Sequence, residues 1–482
     1  MPLHPDQCYE ALKARDARFD GLFFVGVSTT GIYCRPVCAV RMPGRDRCSF
    51  YSNAAAAEAA GYRPCLRCRP ELAPGEAPMD TARLVADLAV ARIEAGALSD
   101  ADMDTLAAEF CLSSRQLRRL VKHEYGVTPI ELAQTRRLLM AKQLLTDTQL
   151  KVADIAFASG FASVRRFNHL FRSRYRLNPT ALRGKRVASP QQTTICLKLG
   201  YRPPLNWAAL ALFLTQRGAP CVEQLQEGQY LRTIRIGACR GWIAVTQDTQ
   251  RGLLLIQASP SLLPVLAQLR ARLRHLFDMD ANPTVIDGHL AADTHLAALI
   301  EHNPGLRVPG TFDGFELALR AVLGQQISVK AATTLFGRFC TFFGAPIETP
   351  FDGLDHLPPD ADTLAQASLQ QIVERGLTRK RAQTVQALAA ASAAGSLRLD
   401  PGADLAQGKA ALADIPGIGP WTTEYIAMRA LADPNAFPAS DLVLLKAMDA
   451  TRPAQIKAMA EAWQPWRAYA AMHLWQQAST GG

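Results

Sequence analysis

The chain has 482 residues, 49% apolar and 20% charged, enough for three or four compact domains and too apolar for a mostly disordered polypeptide. No apolar run is long enough to cross a bilayer, and the segment from Met1 to Asp16 lacks the apolar core of a signal peptide. A soluble, cytoplasmic protein with no membrane partner is expected.

The net charge of +10 is uneven: residues 1–186 hold 28 Lys and Arg against 19 Asp and Glu, and the remainder holds 25 against 24. A basic first part suggests a polyanionic partner, nucleic acid foremost, although a soluble basic surface gives the same count.

In chain order, residues 1–78 carry a C-x3-C and a C-x2-C pair, Cys34, Cys38, Cys65 and Cys68. In a cytosolic chain such pairs favour metal over disulfides, and four thiolates can wrap tetrahedrally around one Zn2+. Arg35, Arg41, Arg45, Arg63, Arg67 and Arg69 crowd the ligands, with Arg45 expected to contact DNA. A purely structural zinc knuckle is the alternative. The runs Thr29-Thr30-Gly31-Ile32-Tyr33-Cys34-Arg35-Pro36, Ser49-Phe50-Tyr51 and Arg63-Pro64-Cys65 give this segment a narrower character: it resembles the N-terminal domain of the Ada-type alkylation-response family. The resemblance implies that Cys34 takes a methyl group from a DNA methylphosphotriester, once and irreversibly. The fused Ada proteins continue into a second methyltransferase domain with a Pro-Cys-His-Arg motif. That motif does not occur here, so O6-methylguanine transfer is not expected.

Residues 85–186 are expected to be all helical. Asp104–Ala108 leads through a turn to Ser113–Leu120, and Val152–Ala156 leads through Gly160-Phe161 to Ser163–Phe167. Each pair reads as a helix, a tight turn and a basic second helix capped by Ser. The doubled pattern resembles the AraC-type regulator family. It implies promoter DNA as a partner, RNA polymerase with it, and Arg115, Gln116, Arg118, Arg119, Arg165, Arg166 and Asn168 as recognition-helix contacts. Ser189-Pro190-Gln191-Gln192 reads as the linker between the halves.

Residues 193–305 begin with alternating strands such as Ile195–Leu199 and continue into the amphipathic helix Leu262–Phe277, an antiparallel α+β pattern. Residues 306–476 read as helices. Within them Pro416-Gly417-Ile418-Gly419-Pro420-Trp421 is a hairpin whose glycines, Gly417 and Gly419, let backbone N–H groups approach a phosphate. With Gly324-Gln325-Gln326-Ile327-Ser328, Phe437–Asp441 and Trp466–Ala470, this half resembles the AlkA-type 3-methyladenine DNA glycosylase of the helix-hairpin-helix superfamily. The resemblance implies a flipped alkylpurine, Asp441 as the catalytic carboxylate, and a base pocket of Trp421, Tyr425, Trp475 and Phe213. Gln325 and Gln326 are implied DNA contacts, Gln326 standing where the family wedges a leucine into the stack. Trp421 stands where bifunctional relatives carry a Schiff-base lysine, which implies a monofunctional enzyme. No cysteine follows Cys340, so no iron–sulfur cluster is expected.

The expected fold is thus a multidomain α+β chain with a zinc domain, a double helix-turn-helix domain, an antiparallel α+β domain and an all-α helix-hairpin-helix domain. Its expected activity is DNA alkylation repair coupled to transcriptional control. The alternative is a regulator of that response whose glycosylase-like half is inactive.

Overall fold

Gly31, with φ +62°, closes a tight turn in which its own N–H and that of Thr30 both donate to the Val27 carbonyl. This turn joins β1 (Phe24–Val27) to β2 (Ile32–Cys34), antiparallel with Val25 opposite Cys34. On the other edge of β1 lies β3 (Cys48–Tyr51), also antiparallel, while β4 (Arg63–Pro64) runs parallel to β2. The sheet order is β3-β1-β2-β4. Leu12, from the helix Pro5–Ala14, and Val25 share a small core with Cys34, Cys38, Cys48 and Cys65.

The computed structural model describes residues 5–16, 19–20, 23–51, 54–65, 67–68, 70, 78–94, 96–100, 102–183 and 194–480. Arg69 and the Ser189–Gln192 linker lie outside them. The chain forms two compact units, residues 1–89 with 107–127, and residues 90–106 with 128–482. The first recognition helix, Ser114–Tyr125, lies in the first unit.

In the second unit the helices Pro129–Asp147, Val152–Ala158 and Val164–Tyr175 surround Phe161, Phe167 and Phe171. The sheet that follows has the order β5-β9-β8-β7-β6, every pairing antiparallel: β5 is Ile195–Gly200, β6 Glu223–Gln226, β7 Gln229–Ile236, β8 Cys239–Asp248 and β9 Leu253–Ala258. One continuous core runs from Leu138, Ala141, Leu144 and Phe171 into Ile195, Leu197, Leu199 and Ile256. Gln143 Nε2 donates to the Lys198 carbonyl over 2.6 Å, and Lys198 pairs with Asp147 at 2.9 Å.

The remaining helices build a second core. Glu223 and Arg232 of the sheet meet Glu316 and Arg320 of the helix Gly314–Leu323 in a buried cluster of alternating charge, with Arg232 2.8 Å and Arg320 2.6 Å from Glu223. Each charge there is matched, the condition under which burial is tolerated.

Candidate functional sites

Cys34 ends β2. Cys38 follows one turn later, its N–H donating to the Arg35 carbonyl over 3.1 Å. Cys65 stands just past β4, held by its N–H to the Tyr33 carbonyl at 3.0 Å. The four sulfurs of Cys34, Cys38, Cys65 and Cys68 lie within 4.8 Å of one another, with Cys68 the most exposed and Cys34 buried. A hydrogen bond to Cys68 and then burial push the Cys34 thiol far up, and burial pushes Cys38 up to about 11. Cys68, receiving the hydrogen bond from Cys34, is pulled down to about 5. Four sulfurs so crowded cannot all ionise alone, which is the signature of a donor set made for a cation. An all-sulfur set at this spacing fits one Zn2+.

Arg35 holds the cluster from outside: its backbone N–H donates to Cys68 Sγ at 3.4 Å and its guanidinium pairs with Asp20, Nε to Oδ1 2.9 Å. Arg45 bonds Asp6 at 3.0 Å and lies over the Phe50 ring at 5.4 Å.

On the first recognition helix Arg115, Arg118 and Arg119 are exposed. Gln116 is exposed too, but its Oε1 accepts from Ser113 N (2.9 Å) and Oγ (2.8 Å), a capping box that fixes the helix start. On the second, Ser163 caps the helix, Arg165 and Arg166 are exposed and Asn168 is half-buried.

In the C-terminal half, Asp441 caps the helix Leu442–Ala447: its Oδ1 accepts from Val443 N at 3.0 Å and Leu444 N at 3.1 Å. Two indoles reach the same carboxylate, Trp421 Nε1 to Oδ2 at 2.9 Å and Trp475 Nε1 to Oδ1 at 3.1 Å. Trp421 and Tyr425, one helical turn apart on Pro420–Arg429, stack with centroids 5.1 Å apart and planes 8° from parallel. Trp475 sits edge-on to Tyr425 at 6.3 Å. Two of the expected site residues thus hold the Asp441 carboxylate, and a third, Tyr425, packs on both their rings.

Phe213 is buried and joins this group through arginines that sequence reasoning missed. Arg217 stacks 3.7 Å from the Phe213 centroid, and Arg429 lies 5.2 Å from it while donating to the Tyr425 hydroxyl at 2.6 Å. Burial raises the Tyr425 hydroxyl, but the Arg429 and Arg217 charges outweigh it and hold it below the usual phenol range. Spacing was the available signal. Arg217 is four residues after Phe213, and Arg429 continues the 421, 425, 429 face.

Gly417 has φ +91°, and a Cβ there would fall 2.2 Å from Thr384 Oγ1, which itself donates to the Pro416 carbonyl at 2.7 Å. Gln325 braces the same turn, its Nε2 donating to the Gly417 carbonyl (3.0 Å) and to Thr422 Oγ1 (3.2 Å). Gln326 is exposed in a left-handed conformation, φ +59°, and Gly419 caps the Pro420–Arg429 helix. No helix among the described residues is long and apolar enough to cross a membrane.

Four family models match the chain in order: the metal binding domain of Ada over residues 7–71, a helix-turn-helix domain over 106–185, the AlkA N-terminal domain over 196–313, and the HhH-GPD superfamily base excision DNA repair protein over 319–468. The chain is 39% identical to the probable bifunctional transcriptional activator/DNA repair enzyme AlkA of Mycobacterium tuberculosis, across 98% of this chain and 97% of that one. It is 35% identical to the DNA-3-methyladenine glycosylase 2 of Escherichia coli, across 58% of this chain and 95% of the relative. A 3-methyladenine DNA-glycosylase from Archaeoglobus fulgidus superposes with a TM-score of 0.51 at 20% identity, covering 57% of this chain and 96% of that one, a likeness of fold.

Proposed function

The chain belongs to the family of bifunctional transcriptional activator/DNA repair AlkA proteins, and from that premise we propose that it repairs two kinds of alkyl damage in double-stranded DNA and reports one of them to the transcription machinery. The observation that carries the reading is Asp441, held by two indole and two backbone N–H groups beside a stacked aromatic pair.

In the zinc domain Cys34, Cys38, Cys65 and Cys68 hold the ion, which when bound supplies the positive charge that keeps all four sulfurs as thiolates. Cys34 Sγ attacks the methyl carbon of a methylphosphotriester. An S–C bond forms, the C–O bond breaks, and its electron pair stays on oxygen to restore the phosphodiester anion. The methylated phosphate is neutral, so it approaches an anionic site that repels ordinary phosphates. After transfer the site carries one negative charge fewer. Such a charge at about 4 Å from a phosphate is worth roughly 1–4 kcal/mol. Methylation therefore tightens the grip of Arg45 and of the recognition helices on DNA, switching on transcription with RNA polymerase as partner, at the nucleoid.

In the glycosylase half the alkylated purine leaves the helix and enters the pocket of Trp421, Tyr425, Trp475 and Phe213, whose ring faces attract an electron-poor, cationic base. Gly417, Gly419, Gln325 and Gln326 form the surface that meets the backbone. The bond from C1′ to the base nitrogen breaks with its electron pair leaving on the base, which is already cationic and needs no acid. The Asp441 carboxylate stabilises the positive sugar electrostatically, and water adds to C1′. Trp421 offers no amine for a Schiff base, so the product keeps an intact strand.

The test is release of 3-methyladenine from methylated duplex by the wild type and by Asp441→Asn, which keeps an N-cap oxygen. Loss of at least a hundredfold is expected, together with a mass gain of one methyl group on Cys34. Equal release would remove Asp441 from the mechanism, no release by the wild type would make the C-terminal half a non-catalytic reader, and an unmodified Cys34 would remove the switch.

A further inference from the structure

A cleft of about 390 Å3 opens in the second unit, where the turn of the second helix-turn-helix meets the segment leading into the helix Leu266–Leu276. Phe157 and Phe161 form one wall and Val265 part of the other, and the charged groups lining it are Arg137 and Arg166. Among the described residues no Asp or Glu lines it, and its lining includes neither the four cysteines nor Asp441.

Three observations point to a ligand. Arg137 is half-buried, bonded through one terminal nitrogen to the Leu98 carbonyl, with its Nε buried and without a hydrogen-bond partner. Burial and the neighbouring Arg166 charge both pull the Arg137 guanidinium below its usual range, so the two cations converge unrelieved. Phe157, beside them on Val152–Ala158, leaves 56% of its surface in solvent. A pocket of this volume suits a ligand of nucleotide size.

We propose that the cleft is an anion site for a phosphate carried on a flat organic body, with Arg137 and Arg166 on the phosphate and Phe157 against the ring. Such a group comes either from a free nucleotide or from DNA itself, and neither methyl transfer nor excision is needed to detect it.

The full chain is titrated calorimetrically with inorganic phosphate, with deoxyadenosine monophosphate and with undamaged duplex. The nucleotide is expected to bind about tenfold more tightly than phosphate, Phe157→Ala to erase that advantage, and Arg137→Gln to weaken both about tenfold. If no free nucleotide binds but Arg137→Gln lowers the salt slope of duplex affinity by about one, the phosphate is the DNA backbone's own. Arg166→Gln, on a recognition helix already assigned to DNA, carries only the phosphate and nucleotide readouts should Arg137→Gln melt early. Unchanged phosphate and nucleotide affinities in both arginine variants, with an unchanged salt slope in Arg137→Gln, would overturn the site.

Discussion

Trp421 donates its indole N–H to Asp441 Oδ2 over 2.9 Å while its ring stacks on Tyr425, so one side chain both aims the carboxylate and builds the aromatic pair beside it. Trp421→Phe separates these roles, keeping a ring and deleting the donor. A hydrogen bond to a charged group is worth about 1.5–3 kcal/mol, so single-turnover excision of 3-methyladenine should slow about ten- to a hundredfold. An unchanged rate would free Asp441 from any dependence on the indole.

Gly417 and Gly419 make opposite predictions although they stand two residues apart. At Gly417 an added Cβ meets Thr384 Oγ1 at 2.2 Å and φ is +91°; at Gly419 nothing lies within 4 Å and φ is −96°. Gly417→Ala should lower the melting temperature and weaken binding to duplex at least about tenfold, since left-handed backbone alone costs roughly 1–2 kcal/mol. Gly419→Ala meets no neighbour and keeps an ordinary φ, so it should lower stability by less, about 0.5–1 kcal/mol for the poorer N-cap. Equal melting temperatures for the two variants would contradict the packing described for the hairpin.

Asp278 accepts from the Tyr469 hydroxyl at 2.7 Å, and burial raises its carboxyl to about 7. The folded chain keeps a proton that the unfolded chain releases near the ordinary carboxylate range, so stability falls as pH rises from about 4 to about 7. Asp278→Asn lacks this titration. The difference in melting temperature, variant minus wild type, should therefore grow from about pH 5 to about pH 8. His275 and the buried His473, both held down to about 4 by desolvation, act oppositely by removing stability as pH falls, but they are common to both proteins and cancel in the difference. A flat difference would place the Asp278 proton elsewhere.

What the sequence shows plainly is whatever short spacing determines. The Cys34–Cys38 and Cys65–Cys68 pairs, the Ser113–Gln116 cap and the Trp421–Tyr425 face each lie within a turn or two of chain, where local geometry dictates proximity; the meeting of the two cysteine pairs rests on β2 lying against β4. Gln325 is different. Its amide is spent on Gly417, 92 residues away, and no local pattern encodes which loop closes on which. The same holds for the approach of Arg217 to Tyr425, since its four-residue spacing predicts only its contact with Phe213. The periodicity of residues 129–147 announces an apolar face, yet not that β5 covers part of it.

That shared core has a consequence for how such a protein can be taken apart. The helices from Pro129 to Tyr175 and the sheet beginning at Ile195 bury their apolar sides against each other. A gene cut between them yields two fragments with raw, water-exposed faces rather than two finished modules. The second DNA reader and the excision machinery melt together, and neither can be traded alone without first resurfacing its seam.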